Sequence, residues 1–241
     1  MLTASSKLGI NASQGRTKTL TIAIDGPAGA GKSTVAQRVA TTLGYLYIDT
    51  GAMYRGATWV ALERRADLND TEQVVHLLES ADLELKSPDE TSQGRVRVFV
   101  NGSDVSMIVR SRIISKFVGV VAAIPGVRKI LVKKQQALAV NGAVVMDGRD
   151  IGTVVLPAAD VKIFLTAGAQ IRAERRLKEL KELGQLADFN VLLKEIEARD
   201  HLDCTRETSP LRQADDAIVI NTDHLTIEEV VQQVLALCAE K

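Results

Sequence analysis

Eight consecutive residues, Gly26-Pro27-Ala28-Gly29-Ala30-Gly31-Lys32-Ser33, match the pattern G-x-x-x-x-G-K-[ST]. The glycines allow the positive φ angles that turn backbone N–H groups inward around a polyphosphate, because no Cβ obstructs them. A helix beginning near Ser33 would point its positive dipole end at the same phosphates. Lys32 is placed to reach the β and γ phosphates, the Ser33 hydroxyl to ligate Mg²⁺, and Thr34 to add one more donor. A chance match in a chain this long has a probability on the order of one in a hundred, so Gly26 to Thr34 are the expected ATP contacts. The loop by itself specifies a nucleoside triphosphate and leaves the reaction open, since GTPases, motor ATPases and small-molecule kinases share it.

Three further clusters narrow the chemistry. Asp49-Thr50-Gly51-Ala52-Met53-Tyr54-Arg55 offers a hydroxyl, a phenol and a guanidinium that could hold a second phosphorylated molecule; it reads equally well as a helix start capped by Asp49 or Thr50. Asp147-Gly148-Arg149-Asp150 succeeds an apolar run. Asp147 stands where an acid supports Mg²⁺ through water, and Arg149 and Asp150 then project into the crevice that opens at parallel-strand ends. The last cluster is rich in arginine. Arg172, Arg175 and Arg176 fall at i, i+3 and i+4 and so share a helix face, and Arg199, Asp203 and Arg206 come after them. Arginines on a helix that also carries Glu174, Glu179 and Glu182 are usually solvated. Phosphoryl transfer, however, needs positive charge around the migrating group and exclusion of water, which a movable arginine-bearing lid supplies.

The elements that must position these residues are legible as alternating apolar runs. Residues 19–24, 45–48, 143–146, 161–165 and 217–220 read as short strands buried on both faces. Val35, Ala36, Val39, Ala40 and Leu43 form one helical face closed by Gly44, and Thr226 with Glu229 forms a capping box for a last helix to about Cys238. Strand, glycine-rich turn, helix and strand make a βαβ unit, and five such strands make an α/β fold with a parallel sheet flanked by helices. Residues 65–117 read differently. A polar helix over about 71–79 precedes a strand at 83–86, residues 95–100 alternate with period 2, and Asn101-Gly102 is a hairpin signal. This is expected to be a small antiparallel insertion.

Composition excludes several classes. Apolar residues make up 46% and charged residues 25% of 241, which fits a globular chain. Lys plus Arg and Asp plus Glu are both 30, so no basic excess points to nucleic acid or an acidic membrane. Cys204 and Cys238 are the only cysteines, and no spacing resembles a zinc site or disulfide framework. No apolar run is long enough to span a membrane. The simplest expectation is a cytoplasmic monomer with a frayed tail over residues 1–18.

Taken together, residues 24–34 and 49–55, Val120 to Arg128, residues 147–155 and Arg199 to Leu211 resemble bacterial cytidylate kinase, a P-loop nucleoside monophosphate kinase family, collinearly from about Thr19 to the C-terminus. The resemblance implies a core over residues 19–64 and 118–241, an insertion that binds the nucleoside monophosphate over 65–117, and a short helical lid over about 169–200. It implies transfer of a phosphoryl group from MgATP to CMP or dCMP. By position, Arg128 and Asp150 would read the base, Arg199 and Asp203 hold the ribose, and Arg55, Arg149 and Arg206 grip the CMP phosphate, with Thr50 and Tyr54 seating it. Arg172, Arg175 and Arg176 would belong to the lid and, with Lys32 and Arg149, carry the charge neutralisation. The cytosine edge suits a carboxylate beside a cation, whereas uracil would turn O4 toward Asp150. Where the family often has a serine touching the base, this chain has Gly119. UMP as acceptor is the nearest alternative, and a nucleotide-gated ATPase switch is the alternative from another class.

Overall fold

Five apolar segments, Thr21–Asp25 (β1), Leu46–Asp49 (β2), Val144–Gly148 (β6), Val161–Thr166 (β7) and Ile218–Asn221 (β8), form one parallel sheet in the order β2-β6-β1-β7-β8. The computed structural model describes residues 19–241 apart from residues 91, 93 and 183, and the expected tail over 1–18 lies outside the described residues. Register matters more here than strand count. Asp25 lies opposite Gly148, and Asp49 lies opposite Asp147. The strands therefore deliver three of the chemistry-bearing sequences to the same edge of the sheet, where their carboxyl ends open.

Helices cover both faces, as parallel strands with crossover connections require. Lys32–Leu43 (α1) and Ile227–Ala239 (α8) pack Val35, Val39 and Val234 against Ile22, Ile24, Val145 and Ile163. Gly44 closes α1 in the left-handed conformation, and Thr226 and Glu229 make the full capping box. On the opposite face Ile48, Val144 and Met146 meet Ala139, Ile151 and Val155.

The segment after Thr50–Glu63 (α2) contains Thr71–Glu79 (α3) and an antiparallel sheet of Leu83–Lys86 (β3), Arg97–Val100 (β4) and Ser103–Asp104 (β5), in that order. Asn101 and Gly102 both have positive φ, 49° and 78°, which is the backbone a tight two-residue hairpin demands. The period-2 pattern gives no sign of the helices beyond this hairpin. Arg112–Ala123 (α4), capped by Ser111, buries Ile114, Val118 and Val121 on one stripe and runs past the expected end of the insertion; Pro125–Ala139 (α5) starts immediately after it. One apolar cluster joins α2, α3, β3, β4, α4 and α5. Ala169–Glu182 (α6) and Phe189–Thr205 (α7) form a helical hairpin.

At Gly26 the chain leaves β1 with φ of 142°, and a Cβ there would stand 1.9 Å from the Leu165 carbonyl oxygen. Gly26→Ala must therefore push the phosphate loop away from β7. The expected loss is roughly 3 kcal/mol of stability, read as a clear drop in thermal midpoint.

Candidate active site

The carboxyl edge of the sheet opens into a cleft of about 160 Å³ whose walls carry six cationic side chains, Lys32, Arg55, Arg128, Arg149, Arg199 and Arg206, and four carboxylates, Asp49, Asp147, Asp150 and Asp203. Ala28, Gly29 and Ser33 of the phosphate loop lie on one side, and Thr50, Tyr54 and Gly119 also line it. The sequence clusters around residues 26–34, 49–55, 128, 147–150 and 199–206 thus meet in one place.

The phosphate loop has its backbone set before any ligand arrives. Gly29 and Gly31 have φ of 78° and 91°, and Gly31 precedes α1 without a side-chain cap, so the N–H groups of the first turn remain available to an anion. The Lys32 ammonium is buried and donates to the Pro27 carbonyl at 2.7 Å. Burial, and next the Arg149 cation, hold its pKa well below the ordinary lysine range.

Facing Lys32, the Asp147 carboxylate accepts hydrogen bonds from the Ser33 hydroxyl at 3.0 Å and from the Tyr47 hydroxyl at 2.8 Å. Burial, and after it the charge of Asp49, push its pKa up to about 6. Burial and the neighbouring Asp147 likewise push the Tyr47 hydroxyl above its ordinary range, so it stays a donor. Asp49 itself caps α2, accepting from the Ala52 N–H at 2.8 Å. A hydroxyl and a destabilised carboxylate are the hard oxygen ligands that Mg²⁺ takes when nucleotide phosphates and water complete its shell, so Ser33 and Asp147 fit that ion. Among the described residues no group of three His, Cys, Asp or Glu side chains forms an all-protein metal cage.

The far wall is a set of paired charges. Arg128 and Asp150, both buried, form an ion pair, and the Arg128 guanidinium also donates to the Ala122 carbonyl at 3.0 Å and lies 5.3 Å from the Tyr54 ring centre. Arg149 Nε donates to Asp203 at 2.9 Å, and Arg206 lies 3.7 Å from the other Asp203 oxygen. Burial alone would raise the Asp203 pKa; Arg149 and Arg199 more than offset it and hold it below the usual carboxylate range. Burial, then Arg149, lower Arg199 to about 10, so it remains charged. Four polar atoms on this wall, Tyr54 Oη, Arg128 Nε, Arg199 Nε and one terminal nitrogen of Arg206, are buried without a hydrogen-bond partner. Unpaired buried donors are costly, and their convergence on one cleft suits a ligand rich in acceptors.

The three helix arginines share a stripe but not an environment. Arg172 is buried, makes a bidentate pair with Asp200, and donates to the Ala28 carbonyl of the phosphate loop at 3.1 Å. Arg175 bonds Thr222, whose hydroxyl lies 3.3 Å from the Ala30 carbonyl. Arg176 is half exposed and paired with Glu179. Spacing in the sequence could not foresee Tyr47 behind Asp147, or Asp25, which binds the backbone beyond Asp150. Their partners lie 100 or more positions away.

Comparison with known proteins decides the lineage. The family model for cytidylate kinase matches residues 22–240. The chain belongs to the cytidylate kinase family. A cytidylate kinase of Geobacillus sp. (strain WCH70) is 52% identical over 220 residues, covering 91% of this chain and 96% of that protein; one from Bacillus subtilis (strain 168) is 50% identical over 224 residues, covering 93% and 98%. A crystal structure of shikimate kinase from Bacteroides thetaiotaomicron, 15% identical, aligns with a TM-score of 0.47 over 92% of this chain and 99% of that one.

For this member of the cytidylate kinase family the Asp147 carboxyl supplies a pH test. It holds its proton up to about pH 6 when folded but only to 3.8 otherwise, so the ligand-free folded state binds more protons across that window and loses stability as pH rises through it. Asp147→Asn should therefore raise the ligand-free thermal midpoint by roughly 2–4 °C at about pH 8. Below about pH 4, where the carboxyl is protonated both folded and unfolded, the difference should disappear.

Proposed function

We propose that this chain transfers the γ-phosphoryl group of ATP to CMP or dCMP, giving ADP and CDP or dCDP. The observation that carries the reading is the buried Arg128–Asp150 pair facing the phosphate loop across one cleft. A carboxylate held beside a cation matches the N4 donor and the N3 and O2 acceptors of cytosine, and repels the O4 of uracil. A loop that binds one triphosphate needs no such second pocket.

On this reading Gly26 to Thr34 hold the ATP phosphates, Arg199 and Asp203 the ribose hydroxyls, and Arg55, Arg149 and Arg206 the acceptor phosphate, with Thr50 and Tyr54 seating it. An oxygen of the CMP phosphate attacks the γ-phosphorus in line, and the bond to the bridging oxygen of ADP breaks. The acceptor oxygen is already ionised, so no side chain need act as a strong base, and catalysis is positioning plus charge neutralisation. Ser33 and, through water, Asp147 would hold Mg²⁺, which neutralises charge on the β and γ phosphates when bound. Lys32 and Arg149 would neutralise charge on the transferred group. Arg172 and Arg175 reach the loop through Ala28 and through Thr222, whereas Arg176 must leave Glu179 to contribute. Residues 65–117 would form the unit that closes on the monophosphate, and residues 169–200 a lid that excludes water. The chain is read as a cytoplasmic monomer; among the described residues no helix is long and apolar enough to cross a membrane.

UMP is the second reading, favoured by one observation. Gly119 lines the cleft, and a Cβ built there meets nothing within 4 Å, so the base is less closely held at that point.

ADP release from MgATP without acceptor and with CMP, dCMP, UMP or AMP tests the proposal. Turnover confined to CMP and dCMP is the expected result. Strong UMP turnover would favour the second reading, and equal release without any acceptor would overturn both. Asp150→Ala should raise KM for CMP by about tenfold or more and narrow the CMP-to-UMP preference, because a bidentate base contact is worth about 1–3 kcal/mol; unchanged selectivity would remove Asp150 from base reading.

A further inference from the structure

Asp25 is the last residue of β1 and the one before the phosphate loop. Its carboxylate is buried and accepts two backbone hydrogen bonds, from the Ile151 N–H at 2.8 Å and the Gly152 N–H at 2.7 Å. Those two amides open the turn of π-helix over Ile151–Val155, immediately after Arg149 and Asp150. The β1–β6 ladder ends at the Asp25–Gly148 pair. Beyond that point the Arg149–Asp150 dipeptide is no longer held by the sheet, and the Asp25 carboxylate fastens the backbone on its far side.

The surroundings are shaped for this contact. A Cβ at Gly152 would lie 3.4 Å from the Asp25 oxygen and 3.2 Å from the Lys162 side chain, and one at Gly148 would meet Ile151 at 2.6 Å and Thr50 at 2.7 Å. A side chain at Gly148 would displace Ile151 and Thr50, and one at Gly152 would press on Lys162. The arrangement is also unfavourable to the acid itself: burial outweighs the two N–H bonds and pushes its pKa up to about 6. A neutral group would brace the turn at lower cost, but only a carboxylate presents two acceptor oxygens, one to each N–H.

We propose that Asp25 is a positioning residue for the acceptor side of the reaction, tying the base-reading Asp150 and the phosphate-gripping Arg149 to the strand that launches the phosphate loop. The inference rests on the proposed CMP kinase reading. Asp25 touches neither substrate; it fixes the distance between the two sites through the backbone.

Asp25→Asn tests it, because the amide keeps the shape but accepts from only one N–H and turns its own NH₂ against the other. KM for CMP should rise by about tenfold and the CMP-to-UMP preference should shrink, with KM for ATP changed less than about twofold. A variant that only melts earlier, with KM for CMP and selectivity unchanged, would make Asp25 a structural brace and overturn the proposal. Wild-type protein that does not phosphorylate CMP would instead sink the functional reading. Should Asp25→Asn fail to fold, amide hydrogen exchange on the wild type decides. The Ile151 and Gly152 amides should be slow to exchange in the ligand-free protein and slower still with CMP, and fast exchange in both states would overturn the proposal.

Discussion

Concentrated charge in a cleft that is poorly solvated is the constraint around which this structure is arranged. Six cations and four carboxylates share a space of about 160 Å³, and at such separations like charges repel by several kcal/mol unless they are paired or screened. Pairing is only partial. Arg128 and Arg149 each have a carboxylate partner, while Arg55 and Arg199 have no ion-pair partner among the described residues. Lys32 is pushed toward its neutral form and Asp147 toward its protonated form. Both are pulled back by what the proposed reaction brings: phosphates opposite the lysine and arginines, and a divalent cation opposite the aspartate. The ligand-free site is thus complementary to its missing charges rather than to itself, which is electrostatic preorganisation in structural form.

Holding that arrangement requires anchors outside the cleft. The sheet supplies the first, by bringing Asp25, Asp49 and Asp147 to one edge through parallel register. Backbone capture supplies the second. Asp25 binds the turn after Asp150, Lys32 binds Pro27, and Arg172 binds Ala28 while gripping Asp200 on α7. Each of these links joins a charged residue to a carbonyl or amide of a loop, so the loops owe their positions to side chains drawn from rigid elements. At the cleft, Gly26 and Gly148 then remove Cβ atoms that would block approach.

Range in the chain decides which features are legible in the sequence. The strands are readable because buried parallel strands are continuous apolar runs, and α1 and α8 because Gly44 and the Thr226–Glu229 pair mark their ends locally. The hairpin at Asn101-Gly102 is readable because its backbone demands residues that tolerate positive φ. Helix α4 is harder to read, since the exposed apolar residues Ile113 and Val120 blur the helical stripe of Ile114, Val118 and Val121. The π-helical turn at Ile151–Val155 has no local signature at all: it is stabilised by a carboxylate 126 positions earlier. The candidate site is legible as a set of clusters, but the pairings within it, such as Arg149 with Asp203 and Tyr47 with Asp147, arise only from tertiary folding.

The helix arginines show how far spacing carries. Positions i, i+3 and i+4 put Arg172, Arg175 and Arg176 on one stripe, but that stripe passes from a buried to a half-exposed environment. Arg172 is enclosed, Arg175 reaches the strand-end residue Thr222, and Arg176 meets Glu179 on the surface. A buried guanidinium held by a bidentate carboxylate and two carbonyls has lost most of its freedom to follow a migrating phosphoryl group. Arg172 donates to the Ala28 carbonyl of the phosphate loop and to the Ala167 carbonyl beyond β7. Inside the cleft Arg55 and Arg199 have no such ion pair among the described residues, and outside it Arg176 pairs on the surface with Glu179. Periodicity identifies which side chains share a face; the local dielectric and the available partners determine whether each one props the site or works in it.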